Sequence, residues 1–336
     1  MKELNDKRLK QLNTLIEMTA LVTSSLDSAE VNKLAVESAI KLLGVEAGSL
    51  LLLDQDSDEL FFEVAVGNKS DEINLVRFKK DLGIAGWVAT NSQPVLIHDV
   101  SSDKRFYIGI DEISGFNTRS MVCVPVRDKD KIIGVLQLIN KIDGNFDNDD
   151  VMILQTFANQ VAIAIENANL YQEAVTDGHT GLYHQKYFKL RLKEEIARSL
   201  RYHYPISVIM MDIDFFKKVN DRYGHPVGSK VIEGIAEIIK NITRVTDIAA
   251  RYGGEEFALI LPYSSYQYGM EIGERLRSTI ERSDFGEINI TVSVGIGYYD
   301  GGGRDIRCEE LIGIADRALY NAKESGRNMV KGFSFT

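Results

Sequence analysis

Residues Arg251-Tyr252-Gly253-Gly254-Glu255-Glu256-Phe257 constrain what this chain can fold into more than any other stretch. Apolar runs flank them, Ile248-Ala249-Ala250 before and Phe257-Ala258-Leu259-Ile260-Leu261 after, and Gly-Gly between such runs predicts a hairpin of paired strands. Two carboxylates then stand at a sharp turn that a backbone, a metal or a phosphate can approach closely. Upstream, Val208-Ile209-Met210-Met211 runs into Asp212-Ile213-Asp214, so a buried strand ends in two acids. Asp and Glu at two strand ends suit a divalent cation of the magnesium class, which takes oxygen ligands and shares them with substrate phosphates. Taken alone, Gly-Gly-Glu-Glu is equally a solvated turn.

Further pieces recur around these acids: Phe215-Phe216-Lys217-Lys218-Val219-Asn220-Asp221 follows the first pair, and Lys323-Glu324-Ser325-Gly326-Arg327-Asn328 lies near the C-terminus. With them, the stretch from Asp177 to Val330 resembles the GGDEF family of diguanylate cyclases. The resemblance implies an enzyme that condenses two GTP into cyclic di-GMP and two pyrophosphates. It works as a homodimer, because each protomer binds one triphosphate and the two must face each other. Asp212, the main-chain carbonyl of Ile213 and Glu255 are then ligands of Mg²⁺ or Mn²⁺. Attack of a ribose 3′-hydroxyl on an α-phosphate builds negative charge that such an ion neutralises. Glu255 is also the expected acceptor of the hydroxyl proton, with Glu256 supporting the metal or the terminal phosphate. Main-chain N–H groups at Phe215 and Phe216 open a helix towards phosphate oxygens, and Lys217 adds a point charge there. Lys323 and Arg327, four residues apart, are expected on one helix face, holding the β- and γ-phosphates.

The base site departs from the family at one position. Asn220 is the expected guanine contact, but Ser229 stands where the family carries Asp. A carboxylate accepts two hydrogen bonds from the guanine N–H edge, whereas a hydroxyl both donates and accepts and tolerates adenine. Either Ser229 serves guanine through a water, or the enzyme also takes ATP and makes cyclic GMP-AMP. Arg244 and Asp247, an Arg-x-x-Asp turn upstream of Gly253, match the family's inhibitory site for cyclic di-GMP, and Arg275 matches its secondary arginine. The same four-residue pattern on its own describes a surface ion pair. A competing function is a catalytically silent receptor that binds cyclic dinucleotide at Arg244 and Asp247.

Length and charge set bounds. At 336 residues the chain accommodates two domains, each with its own core. A net charge of −10 argues against DNA or an anionic membrane as a general partner, so local basic residues must supply phosphate affinity. The two cysteines, Cys123 and Cys308, have no ligand-like spacing, and a reducing cytoplasm is the expected compartment. No run approaches the ~20 apolar residues of a membrane helix.

The expected architecture is α+β: an N-terminal helix over residues 1–19, a sensor over 20–150, a coiled signalling helix over 151–176, and a cyclase domain over 177–336 with a mostly antiparallel, palm-like sheet. Leu9, Leu12, Leu15 and Met18 keep helical spacing, and Ser24-Ser25-Leu26-Asp27 offers a cap for a second helix. Strand-like runs follow at 48–53, 60–66, 95–97, 120–126 and 132–139. Their order, with Gly83-Ile84-Ala85-Gly86-Trp87-Val88-Ala89 and Gly134-Val135-Leu136-Gln137-Leu138, is similar to a GAF domain, an antiparallel sheet flanked by helices. Val151, Leu154, Ala158, Val161, Ile165, Ala168 and Val175 step by threes and fours, a seam that either pairs with a second chain or packs on the sensor sheet. Asn140, Lys141, Phe146 and Asp150 resemble a motif of GAF domains that bind cyclic nucleotides, in which Lys and Asp form a structural salt bridge. Val151 stands where that motif ends in Glu. The resemblance implies a cyclic nucleotide as the sensor ligand, cAMP being preferred here to cGMP, with Phe106, Asp111, Thr118 and Arg119 as pocket-lining candidates. The alternative is a GAF domain that only dimerises.

Overall fold

A computed structural model describes residues 2–67, 73, 76–286, 288–302 and 305–335, the first ten as helix backbone only, so the side chain of Leu9 lies outside the described residues. They form two compact units, 1–172 and 173–336. Among the described residues no helix is long and apolar enough to cross a membrane.

The first unit runs α1 (Lys2–Val22), α2 (Ser28–Leu43), β1 (Val45–Asp54), β2 (Glu59–Val66), β3 (Arg77–Lys79), α3 (Gly83–Asn91), β4 (Val95–Ile97), α4 (Gly109–Ser114), β5 (Met121–Asp128), β6 (Lys131–Lys141) and α5 (Asn148–Val175). The strands make one antiparallel sheet in the order β3-β2-β1-β6-β5-β4. Alternation decides which face each residue serves. Leu50, Val122, Val124, Leu136 and Leu138 meet α2 and α5, whereas Leu51, Met121, Cys123 and Val135 meet α3. Asp27 caps α2, its carboxylate accepting from the Glu30 N–H at 2.9 Å.

The repeat on α5 resolves here. Leu154, Ala158, Val161, Ile165 and Ala168 are all buried in the first unit's own core. The helix expected as a linker from residue 151 is therefore sensor packing as far as Ala168, and the large apolar side chains it leaves exposed are Met152, Ile163 and Leu170.

In the second unit β7 (Tyr183–His184) and α6 (Gln185–Tyr202) precede β8 (Ile206–Ile213), α7 (Phe216–Tyr223), α8 (His225–Ile242), β9 (Ile248–Arg251), β10 (Glu256–Pro262), α9 (Tyr266–Arg282), β11 (Val292–Tyr299), α10 (Cys308–Glu324) and β12 (Val330–Ser334). The sheet order is β12-β11-β8-β10-β9-β7. Its four central strands are antiparallel, and the two edge pairs are parallel. Every residue of β8 is buried, because α7, α8 and α9 cover one face of the sheet while α6 and α10 cover the other.

Helix α10 lies directly on β11. A Cβ on Gly295 would sit 2.2 Å from both the Ala315 carbonyl oxygen and the Leu319 nitrogen. Gly295→Ala is therefore expected to destabilise the second unit by about 1–3 kcal/mol. Urea denaturation checks this, and an unchanged midpoint would mean that α10 moves off the sheet freely.

Candidate active site

The ends of β8 and β10 build the acidic centre. Asp212 stands opposite Glu256 in the antiparallel register, and the Ile213 N–H donates to the Glu255 carbonyl at 3.2 Å, carrying the pairing one step into the turn. The predicted hairpin is present: β9 ends at Arg251, β10 begins at Glu256, and the two glycines lie between. They do different work. A Cβ on Gly253 would meet Glu256 Oε2 at 2.4 Å, so the Glu256 carboxylate lies over bare backbone, whereas the space at Gly254 is open.

These acids share one electrostatic environment. Burial raises the Asp212 pKa above the ordinary carboxylate value, although Lys323 Nζ contacts Asp212 Oδ2 at 2.8 Å and opposes the rise. Glu255 and Glu256 are also raised, first by burial and then by the charge of Asp212. A cation held among them would favour their ionised forms. Two carboxylates and a carbonyl, from Asp212, Glu255 and Ile213, fit a magnesium-class ion, which takes its remaining oxygens from phosphates and water. Among the described residues no group of three or more His, Cys, Asp or Glu is arranged as an all-protein cage.

Asp214, the second acid of the strand end, has a different task. It is buried, accepts from Thr291 Oγ1 at 2.8 Å and Ser293 Oγ at 2.7 Å, and accepts the Asn328 N–H at 3.0 Å. It ties down the segment after α10, a role that only the fold reveals.

The expectation for Lys323 and Arg327 needs correction. They do not share a helix face, because α10 ends at Glu324 and Gly326 turns the chain at φ +117°. The Arg327 N–H reaches back to the Ala322 carbonyl at 3.0 Å, closing the helix end. The two cations still converge on the same region, Lys323 on Asp212 from the helix and Arg327 against the Phe215 ring at 4.6 Å from the turn.

Phe215 itself is left-handed at φ 56° and half exposed, and it opens α7 with no side-chain cap. The Phe215 side chain therefore takes none of the first N–H groups, while the Lys218 N–H turns back to the Phe215 carbonyl at 2.8 Å. Phe216 packs into the core below, and Lys217 is exposed. At the α7–α8 corner, Asn220 Oδ1 lies so close to Gly228 that a Cβ there would be 1.9 Å away, which puts Asn220 beside the residue preceding Ser229.

Sequence reasoning passed over Arg251. Its guanidinium donates to both Asp177 oxygens at 3.2 Å and to the Gly254 carbonyl at 2.9 Å, so it braces the acidic turn against the entry segment. An arginine two residues before Gly-Gly was the available signal. Burial pushes the Asp177 pKa up, but bonds from Thr180 and the nearby Arg251 bring it below the ordinary value.

Arg244, Asp247 and Arg275 come together at the start of β9. Asp247 accepts the Arg244 N–H at 2.8 Å, while the Arg244 guanidinium lies over Tyr268 at 4.4 Å and Arg275 donates to the Ile242 carbonyl at 2.9 Å. Burial raises the Asp247 pKa, and the charges of Arg244 and Arg275 oppose it.

In the first unit, a mostly apolar cavity lies between the sheet and the segment carrying α3 and α4. Phe106, Asp111 and Thr118 line it, as expected. Arg119 does not: it is exposed and paired with Glu46 at 2.6 Å. Both Asp111 oxygens are held by Thr118, from its N–H at 2.8 Å and its hydroxyl at 2.7 Å. Gln137, which donates to Ser49 Oγ at 2.8 Å, adds buried polarity to the wall. A glutamine inside an apolar strand was the overlooked signal. Lys141 does pair with Asp150, and Phe146 joins the helix-side core, but none of these three lines the cavity. Asn140 is a bracket, its amide bonded to the N–H groups of Arg119 and Ser120, to Glu46 and to the Asn117 carbonyl.

Residues 174–329 match the family described as "Diguanylate cyclase, GGDEF domain", and residues 27–165 match the GAF domain family. The chain is 39% identical over 217 residues to Diguanylate cyclase A of Treponema denticola, which covers 62% of this chain and 58% of that protein. It is 38% identical over 165 residues to the response regulator PleD of Caulobacter vibrioides, covering 47% of this chain and 36% of that protein. A solved structure of the coiled coil and GGDEF domain of DgcB from Caulobacter crescentus, in complex with c-di-GMP, is 30% identical and has a TM-score of 0.49, covering 56% of this chain and 100% of that one. This chain thus spans less than two thirds of the length of either named relative.

The raised pKa of Glu255 carries a stability consequence. Its ionised form costs the folded state stability once the pH passes the unfolded-state value of about 4.3, and the cost is complete above the folded-state value. Below about pH 4 both states are protonated and the cost disappears. Glu255→Gln is therefore expected to raise the thermal midpoint near neutral pH, with the gain fading as the pH falls. A variant less stable than the parent at neutral pH would contradict this.

Proposed function

We propose, for a chain that carries a GAF domain followed by a GGDEF domain, a diguanylate cyclase that works in the cytoplasm as a homodimer and condenses two GTP into cyclic di-GMP. The observation that carries this reading is the convergence of Asp212, Glu255 and Glu256 with Lys323 at the β8–β10 end, beside the uncapped start of α7. Each 3′-oxygen forms a bond to the partner nucleotide's α-phosphorus while the α–β phosphoanhydride bond breaks and pyrophosphate leaves. Glu255, beside the end of β10 that faces Asp212, accepts the hydroxyl proton. A magnesium-class ion, when bound, supplies charge neutralisation on the phosphoryl group and the leaving group, and Asp212, Glu255 and the Ile213 carbonyl would hold it. Lys217, Lys323, Arg327 and the N–H groups at Phe215 and Phe216 bind and orient the phosphates, and Asn220 reads guanine.

Ser229 favours a second substrate specificity for the same enzyme, with ATP admitted and cyclic GMP-AMP formed beside cyclic di-GMP. Arg244, Asp247 and Arg275 form the inhibitory product site, where forked and stacked arginine contacts suit a phosphate and a base. The GAF cavity takes the regulatory ligand, a cyclic nucleotide of the cAMP class. Support comes from α3, whose uncapped N-terminus at Leu82 to Ala85 forms a wall and suits an anionic phosphate, and from Phe106 beside it as a surface for a base.

Purified protein given Mg²⁺ with GTP, ATP or both, with and without cAMP, is expected to yield cyclic di-GMP from GTP alone and a mixed product when both are present. Ser229→Asp is expected to shift the preference towards GTP by about 10- to 150-fold, the worth of a charged hydrogen bond. Mass analysis reads each product. No cyclic product in any mixture would favour the silent receptor, and a cAMP-independent rate would remove cAMP as the sensor ligand.

A further inference from the structure

The turn after α10 carries three successive residues in the positive-φ half of backbone space: Gly326 at 117°, Arg327 at 63° and Asn328 at 45°. For arginine this conformation is uncommon and costs free energy, so the surroundings must hold it. Asn328 is gripped on every side. Its N–H donates to Asp214 at 3.0 Å, its side-chain oxygen accepts from Arg277 Nη1 at 2.7 Å, and its side-chain nitrogen donates to Glu281 Oε1 at 2.7 Å. Arg277 is itself locked, with Glu274 on Nε and Nη2 and Glu281 on Nη1, and its side chain is only 14% exposed.

This geometry exceeds what a solvated charge network on α9 needs. Three charged side chains, Asp214, Arg277 and Glu281, converge on Asn328, and this residue is the neighbour of Arg327, whose guanidinium lies against Phe215. We propose that Arg277 is a positioning residue for triphosphate binding, acting with Glu281 through Asn328 to hold the turn that aims Arg327. The inference rests on the cyclase reading above, since it assigns the aimed arginine to substrate phosphate. Loss of the grip lets the turn relax towards ordinary backbone angles and withdraws Arg327 from Phe215.

Steady-state kinetics of the full chain with Mg²⁺ and GTP test this in a double-mutant cycle of Arg277→Gln and Arg327→Gln. Arg277→Gln is expected to raise KM about tenfold with kcat changed less than about twofold, and to add less than about twofold once Arg327 is already glutamine. Asn328→Gly, which keeps left-handed freedom but removes the amide, is expected to reproduce the KM defect, and it replaces Arg277→Gln if that variant does not fold. Multiplicative losses in the double variant, or a fall in thermal midpoint with KM unchanged, would overturn the positioning role while leaving the cyclase reading intact. No cyclic product from the unsubstituted chain would instead overturn the cyclase reading, and this inference with it.

Discussion

The register between β8 and β10 is the constraint on which the active centre depends. Side chains alternate across a strand, so a slip of one residue would turn Asp212 and Glu256 to opposite faces and set the apolar rows of the two strands against the wrong helical layers. The register is held because β8 is buried on both faces, with Ile209, Met211 and Ile213 facing one helical layer and Val208 and Met210 the other. Each such side chain contributes about 1.5–3 kcal/mol on burial. That apolar binding offsets the cost of crowding three carboxylates at the end of the strand, a cost visible in their raised pKa values.

Two cations reach this centre by unlike routes. Lys323 is placed by helix packing, since α10 sits on the bare backbone of Gly295 and delivers its last turn to Asp212. Arg327 is placed by a turn whose backbone is held from outside by Asp214 and the Arg277 network. The first is a rigid placement, and the second depends on hydrogen bonds that a single substitution removes. On the opposite side of the hairpin Arg251 performs a similar service for the Gly-Gly turn, linking the Gly254 carbonyl to Asp177, two residues beyond the end of α5.

Much of the site was legible in sequence because it is local. The hairpin, the acids at two strand ends and the helix opening at Phe215 each follow from short patterns of apolar runs, glycines and charges. The same reasoning failed where a pattern has two physical uses. The three-four spacing on α5 describes equally a seam between chains and a stripe against a sheet, and in the folded chain Leu154 to Ala168 serve the sheet. Four-residue spacing placed Arg327 on a helix face, but Gly326 ended that helix first. Arg119 follows Thr118 directly, yet Thr118 lines the cavity while Arg119 meets Glu46 outside it.

By itself the sequence determined the two α+β units, the strands that carry the acids, and the identity of the groups available for phosphate and metal chemistry, because these rest on periodicity and residue type. Only the tertiary structure decided which of those groups meet. Asp214 is bonded to Thr291, Ser293 and Asn328 whereas Asp212 meets Lys323, although the two acids sit two residues apart, and Arg277 acts on residue 328 across 51 positions of chain. Such pairings are set by packing of α9 and α10 on one sheet, and no local pattern encodes the distance between side chains so far apart in sequence.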